Sequence, residues 1–284
     1  MDDFVQKSEE VAGHASTSNS AAADAPKKRN AFAELMAPKP KAAKADASDN
    51  STHRHKKVSQ ALKRLGNWRD ALLEYIQHPE RFPSVLRVTP NTVLIKDMYA
   101  KATIHLLLLP RSPAHYDLHP HKAFEDPAFL AMMKEEAASA AKIAAAELAR
   151  QLSPFSATSK ARNDAMDAGV PFEDLPPGRD FLPEIQVGIH AHPSMSHLHV
   201  HIISRDSHSD MLKHRKHYNS FHTPFFIPLA DYPLAQDDVR CQSSFQNANL
   251  DAEFVCWRCG EGFGRKFSEL KKHLEVEFQL WKAE

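Results

Sequence analysis

The sequence predicts an α+β fold with a small terminal metal-binding unit. Three observations carry this. Short strand-like runs lie on either side of one long Ala-rich helical stretch at 126–152. One of those runs alternates His with apolar residues. A Cys-x2-Cys pair sits near the end of the chain.

The elements follow in order. Residues 1–56 are rich in Ala, Ser, Lys, Asp and Pro and poor in aromatics, so they cannot bury enough apolar surface to offset their ordering entropy. This segment reads as a disordered tail. Within it, Pro26-Lys27-Lys28-Arg29 fits either a nuclear import signal or a solvated charge run, and Asn30 to Met36 is either a docking peptide or an inert apolar island. From Val58 to Gln77, Leu62, Leu65, Trp68, Leu72, Leu73 and Ile76 recur at helical spacing, with Lys56, Lys57, Lys63 and Arg64 before or on the helix. Val85 to Lys96 reads as two strands around Pro90-Asn91, and Ile104 to Leu109 as a buried strand closed by Pro110. Asp126-Pro127 opens the long helix, with Asp as cap and Pro in the first turn, and the helix runs to about Leu152. Residues 153–183 read as a long Pro- and Ser-rich connection, 182–188 and 197–204 as strands, and 236–251 as a polar linker.

Composition narrows the classes. With 36 basic and 36 acidic residues in 284 the formal charge is zero, which argues against loose polyelectrolyte binding. Forty-two per cent hydrophobic residues and the absence of a long apolar run exclude a fully disordered or membrane-spanning chain. Three cysteines exclude a disulfide scaffold, and the acidic start Met1-Asp2-Asp3 is unlike a secretory signal, so a reducing compartment is expected. Histidine is in surplus: 18 in all, nine of them from His190 to His222.

The stretch His197-Leu198-His199-Val200-His201-Ile202-Ile203 alternates strictly. On a strand this puts His197, His199 and His201 on one face and Leu198, Val200 and Ile202 in the core. Three readings compete: a chance polar face, a metal site, and nucleophilic catalysis in which one imidazole attacks while its neighbours fix its tautomer.

This stretch resembles the signature of the histidine triad (HIT) superfamily at all seven positions. Ile95-Lys96-Asp97, Lys101 and His105 to Pro110 resemble the strand that carries that family's nucleotide pocket. The lead-in Val187 to Ser196, the continuation Ser204-Arg205-Asp206, Leu212-Lys213 and Lys216 to Phe221, and the terminal finger narrow the resemblance to the aprataxin family of fungal type, over about residues 58–284. The resemblance implies a HIT fold: an antiparallel sheet with helices in a catalytic domain at 57–235, followed by linker and zinc finger at 236–284. It implies a DNA repair hydrolase that removes 5′-adenylate left by abortive ligation, through an AMP-histidine intermediate. His199 would be the nucleophile. His197, His201, His190, Ser204 and Lys216 would assist, Asp97 would hold the ribose hydroxyls, and Lys101 would help bind the nucleotide. His105 would be a structural support. Expected DNA contacts are Trp68, Arg111, Lys213, Lys216, Arg258 and Lys266. Trp68 either wedges against the terminal base pair or belongs to the core stripe. Expected partners are 5′-adenylated DNA and the product AMP, for a monomer with no membrane association, in the nucleus and also the cytoplasm. A small-molecule HIT phosphoramidase or dinucleoside polyphosphate hydrolase, and a non-catalytic zinc-finger adaptor, are the alternatives. The intact triad speaks against the adaptor, and the finger speaks against the minimal enzymes.

The finger is read from its ligands. Cys256-Trp257-Arg258-Cys259 is a knuckle, and His273 follows Cys259 by 14 positions. A second His is expected three to five residues later, but Val276, Glu277 and Phe278 stand there. His273 and Glu277 share one helix face, and a carboxylate is an acceptable zinc ligand, so Cys256, Cys259, His273 and Glu277 are expected to hold one structural Zn2+. A solvated helix charge is the competing reading for Glu277. Phe263, Phe267 and Leu270 would form the finger's small core, and Arg265, Lys271 and Lys272 extend its basic face.

Overall fold

A computed structural model describes residues 68–284. The tail 1–56, its basic cluster 26–29, its apolar island 30–36, and Lys56, Lys57, Leu62, Lys63, Arg64 and Leu65 of the predicted helix lie outside the described residues.

The first described helix is α1 (Ala71–Gln77), which buries Leu72, Tyr75 and Ile76. Strands β1 (Val85–Val88), β2 (Thr92–Lys96) and β3 (His105–Pro110) follow as the sequence predicts. Two single-turn helices, α2 (Pro113–Tyr116) and α3 (Pro120–Ala123), lead into the long α4 (Pro127–Leu152). The Asp126 carboxylate accepts from the amides of Ala128 and Phe129, so the predicted cap is made. Then come α5 (Ala157–Asp167), β4 (Ile185–His190), β5 (Val200–Ser204), α6 (Arg215–His222), β6 (Phe226–Pro228), α7 (Ser243–Leu250), a small hairpin of β7 (Phe254–Val255) and β8 (Gly262–Gly264), and α8 (Phe267–Ala283).

Six strands form one antiparallel sheet in the order β1-β2-β3-β5-β4-β6. One face packs on α4: Leu106, Leu108, Val200 and Ile202 meet Met133, Ala137, Ala140, Ala144 and Leu148 in the main core. Ala at the helix positions brings α4 close to the sheet. The opposite face is divided. At one end α1 covers Val93, Ile95, Leu107 and Leu109. At the other, Phe221 of α6 and Phe226 of β6 pack with Ala102 and Ile203. The histidines occupy the gap between these two small cores.

Four expectations need correction. Residues 153–183 contain α5, capped by Ser156, which accepts from the Ser159 amide. Ser159 is the sole buried residue of α5, so the sequence carries no apolar stripe to reveal it. Strand β4 starts at Ile185, because Leu182–Glu184 is a 3-10 turn containing Pro183. The ladder of β5 starts at Val200, because the Leu198 amide donates to the Tyr116 carbonyl at 2.7 Å instead of to a neighbouring strand. The alternation survives this: Leu198, Val200 and Ile202 all lie in the main core. Finally, 236–251 is ordered structure. Buried Gln246 of α7 donates to the Arg240 carbonyl at 2.8 Å, and Asn219 of α6 donates to the Leu250 and Ala252 carbonyls. Polar side chains satisfying backbone groups hold this segment, which is why it reads as a linker.

Among the described residues no helix is long and apolar enough to cross a membrane.

Gly188 of β4 stands opposite His201 in the register. A Cβ there would lie 2.5 Å from the Ile227 carbonyl and 2.7 Å from the Phe226 ring. Gly188→Ala is expected to destabilise the protein by about 1–3 kcal/mol through overpacking. Urea unfolding checks this, and an unchanged midpoint would contradict it.

Candidate active site and metal centre

The imidazoles of His105, His190, His197, His199 and His201 come together at the face of β3, β5 and β4 opposite α4. His105, His197, His199 and His201 are buried, each at 6% exposure or less. His201 is the hub, with ring centroids of His190 at 4.3 Å, His199 at 4.9 Å and His105 at 5.2 Å. Phe221 and Phe226 wall them in.

Each ring spends one nitrogen on the scaffold. His199 Nδ1 lies 2.8 Å from the His197 carbonyl. A carbonyl only accepts, so Nδ1 carries the proton and Nε2 keeps a free lone pair. His197 Nε2 faces the Asp117 carboxylate at 3.2 Å. His190 is held by a hydrogen bond to the Ser220 backbone. His201 Nδ1 is 3.0 Å from His105 Nε2. The remaining nitrogens, His201 Nε2, His190 Nε2 and His197 Nδ1, are buried without a protein partner. Buried polar atoms are nearly always satisfied, so three such atoms in one cluster mark a place for a ligand.

The His105 tautomer sets the polarity of His201. His105 Nδ1 is 3.2 Å from both the Lys101 amide and the Asp97 carboxylate. One nitrogen cannot accept from the amide and donate to the acid. Asp97 is otherwise satisfied, since it accepts from the Tyr99 amide at 2.7 Å, whereas the Lys101 amide would be orphaned. The amide therefore donates to Nδ1, Nε2–H donates to His201 Nδ1, and His201 Nε2 carries a proton toward the pocket.

Burial disfavours the charged form of His105, His190, His199 and His201. It lowers the proton affinity of His199 and pushes His190 and His201 well below the ordinary value. His105 falls to about 4, mainly by burial, with the nearby Lys101 charge lowering it further against the opposing pull of Asp97. Lys101 itself is lowered by burial, and the Lys213 charge adds to this. A neutral imidazole beside cationic Lys101 is a nucleophile next to an anion-attracting charge.

The structure brings Asp97, Lys101, His190, His197, His199 and His201 together, with Lys213 close enough to Lys101 to be felt. Lys216 lies exposed in the first turn of α6. Ser204 does not join the imidazoles. It is on the face of β5 opposite His201, buried, accepting from the Ile104 amide and donating to Asp206. Its role is to tie β5 to the loop before β3. Arg111 spends its guanidinium on the Thr89 carbonyl at 3.0 Å, closing the β1–β2 turn. Trp68 is 60% exposed and so is not part of the core stripe. Asp117 was not foreseen, since nothing in its local sequence marks it. Nor was Asp206, whose buried carboxylate accepts from Thr103, Ser204 and His208.

At the finger, ligand atoms of Cys256, Cys259, His273 and Glu277 all lie within 4.8 Å of one another. Cys259 Sγ is 3.2 Å and Glu277 Oε1 is 3.4 Å from His273 Nε2. Tetrahedral zinc with bonds of about 2.0–2.3 Å needs ligand separations near these values. Glu261 faces the other His273 nitrogen at 3.5 Å, which directs Nε2 to the metal. Glu277 is buried, so it is not a solvated helix charge. The Arg258 guanidinium, an expected DNA contact, pairs with Glu277 and Glu284. Lys266 is exposed and pairs only with Glu269 of its own helix turn.

This architecture defines a class: residues 80–208 match the HIT domain, and residues 222–280 match the C2HE / C2H2 / C2HC zinc-binding finger. The chain is 35% identical over 217 residues to the aprataxin-like protein of Saccharomyces cerevisiae, covering 75% of this chain and 96% of that protein. It is 34% identical to the aprataxin-like protein of Schizosaccharomyces pombe, covering 77% of this chain and 84% of that one. The solved structure of Hnt3 in complex with DNA and guanosine superposes with a TM-score of 0.60 at 30% identity, covering 76% of this chain and 97% of that one. The chain belongs to the aprataxin family, in its fungal form with a C2HE finger. It is a HIT-domain DNA repair hydrolase with a structural zinc.

The neutral histidines carry a pH signature. Between the ordinary value of 6.5 and about 4, the unfolded chain protonates His105 and the folded one does not. Stability is therefore lost as pH falls through this window, at up to about 1.4 kcal/mol per pH unit for each such histidine. His105→Gln is expected to shallow the slope by about one proton. Urea titrations at several pH values read it, and an unaltered slope would refute the neutral His105.

Proposed function

We propose that the substrate is DNA carrying a 5′-adenylate, and that the products are AMP and a restored 5′-phosphate end. The observation that carries this reading is the His199 tautomer: Nδ1 is bound to the His197 carbonyl, which leaves the Nε2 lone pair for attack. In the first step His199 Nε2 forms a bond to the α-phosphorus. The bond from that phosphorus to the bridging oxygen breaks, and the oxygen leaves with its electron pair on the DNA 5′-phosphate. In the second step water attacks the same phosphorus, the P–N bond breaks, the imidazole recovers its lone pair and AMP departs. The water proton is lost on the way. His201 Nε2–H, His190, Lys101 and Lys216 offset the charge that grows on the phosphoryl oxygens. His197 is steadied by Asp117. Asp97, at the edge of the pocket, is assigned to the ribose hydroxyls.

Trp68 supports the DNA-end reading. The Ser196 amide, just before the triad, donates to the Arg69 carbonyl at 2.9 Å, so the exposed indole sits beside the entrance to the site. Stacking on a terminal base pair is sequence-tolerant, as this enzyme requires. Lys213, Lys216 and Lys266, all exposed, are assigned to the DNA backbone. We place the protein in the nucleus, from the basic cluster at 26–29 and the nature of the substrate, and propose that it acts as a monomer.

Incubation with 5′-adenylated nicked DNA should release AMP and leave ligatable 5′-phosphate. Turnover of a nucleoside phosphoramidate without AMP release from DNA would favour the small-molecule alternative. His199→Ala is expected to reduce AMP release by at least about 10³-fold. Persistent activity in that variant would exclude the covalent mechanism. Chelating the zinc should weaken DNA binding and lower thermal stability without altering the triad, checked by binding titration and thermal melts of the apo protein.

A further inference from the structure

A carboxylate at the fourth zinc position creates a charge problem that this chain solves within the knuckle itself. Two thiolates, one neutral imidazole and one carboxylate set three negative charges against the two positive charges of zinc. A site with two histidines would be neutral. Here the surplus charge is partly buried, since Glu277 is 6% exposed and Cys256 is 2% exposed. A buried charge without a counter-charge is costly.

Arg258 stands between the two cysteines, and its Nη1 donates to Glu277 Oε2 at 2.6 Å. Glu277 Oε1 points the other way, 3.4 Å from His273 Nε2. The two carboxylate oxygens are thus divided: Oε1 faces the metal position and Oε2 faces the guanidinium. The Arg258 backbone amide also points at Cys256 Sγ, at 3.5 Å. We propose that Arg258 is the positioning residue of the zinc site: it fixes Glu277 as a one-oxygen ligand and offsets part of the charge that Glu, unlike His, brings, while its other terminal nitrogen is held by Glu284. Arg258 and Glu277 therefore act as one unit replacing a second histidine. The guanidinium is spent inside the protein and is not a DNA contact.

Zinc affinity of the full chain, read by competition with a chromophoric chelator, tests this without reference to catalysis. Arg258→Gln keeps an N–H donor but shortens the side chain and removes the charge, and is expected to weaken zinc binding by about 10–100-fold. Arg258→Lys keeps the charge and is expected to stay within about 5-fold of the parent, a margin below the effect of losing an outer partner. In a Glu277→His background the same Arg258→Gln change should cost less than about 3-fold, because the ligand it serves is neutral. Equal losses in both backgrounds, or equal losses for Gln and Lys, would overturn the proposal in favour of a general scaffold role. No loss in the Glu277 background would overturn it outright. The comparison of Gln with Lys decides the matter even where Glu277→His does not fold.

Discussion

The constraint on which the rest of this structure depends is the burial of five imidazoles side by side. Burial disfavours the charged form of His105, His190, His199 and His201, and each ring of the cluster must find a hydrogen-bond partner. The surrounding fold supplies those partners from separate elements. The His197 carbonyl serves His199, Asp117 after α2 serves His197, α6 serves His190, and His105 on β3 serves His201. His105 uses both its nitrogens, while His190, His197, His199 and His201 each keep one left over by construction. A cluster designed only for stability would have paired both nitrogens or replaced the rings. The tautomer of His199 is a consequence of the backbone, so the nucleophilic lone pair is fixed before any substrate arrives.

The same logic explains why the finger is not an appendage. Tyr218 of α6 donates its hydroxyl proton to the Val255 carbonyl at 2.8 Å and accepts from the Trp257 amide at 3.0 Å, so the helix bearing Lys216 is bonded directly to the knuckle. Leu212 and Tyr218 share a core with Phe254, Cys256, Leu270 and Leu274. At its far end α8 buries Trp281 in the main core, where Arg179 stacks on it and donates to its carbonyl. Zinc thus holds a hairpin and a helix that in turn hold α6. Loss of the metal reaches Lys216 through packing, without any ligand shared between the two sites.

What the sequence made legible follows from periodicity and spacing. Strands β1 to β5, the long helix with its Asp126 cap, the triad and all four zinc ligands carry local signals: an alternation or apolar run, a cap, a Cys-x2-Cys pair and an i, i+4 pair, whereas the two- and three-residue strands β6, β7 and β8 are too short to show one. The residues that were missed have no such signal. Asp117 and Asp206 are single acids whose partners lie far along the chain, and only the fold brings them to His197 and Thr103. Helices α5 and α7 bury polar residues, Ser159 and Gln246, so the hydrophobic pattern that reveals a helix is missing. Ser204 and Arg258 were read by residue type, as a hydroxyl after the triad and a cation in the finger. Their roles depend on which face they take and what already occupies them, and neither is a property of the local sequence.

The zero net charge now has a structural sense. Several arginines are already paired with acids: Arg258 with Glu277 and Glu284, Arg179 with Glu184 and Glu284, Arg240 with Asp231 and Asp238. Spent cations add nothing to a field that DNA could feel at a distance, because their partners cancel them. Near the imidazoles, Lys101 is lowered in proton affinity by burial and by its neighbour Lys213. A local positive charge beside a buried pocket favours an anionic group at that point, whereas a uniformly basic surface would hold duplex DNA anywhere along its length. For an enzyme acting on adenylated DNA, neutrality elsewhere limits unproductive binding along the duplex, and discrimination falls to the pocket itself.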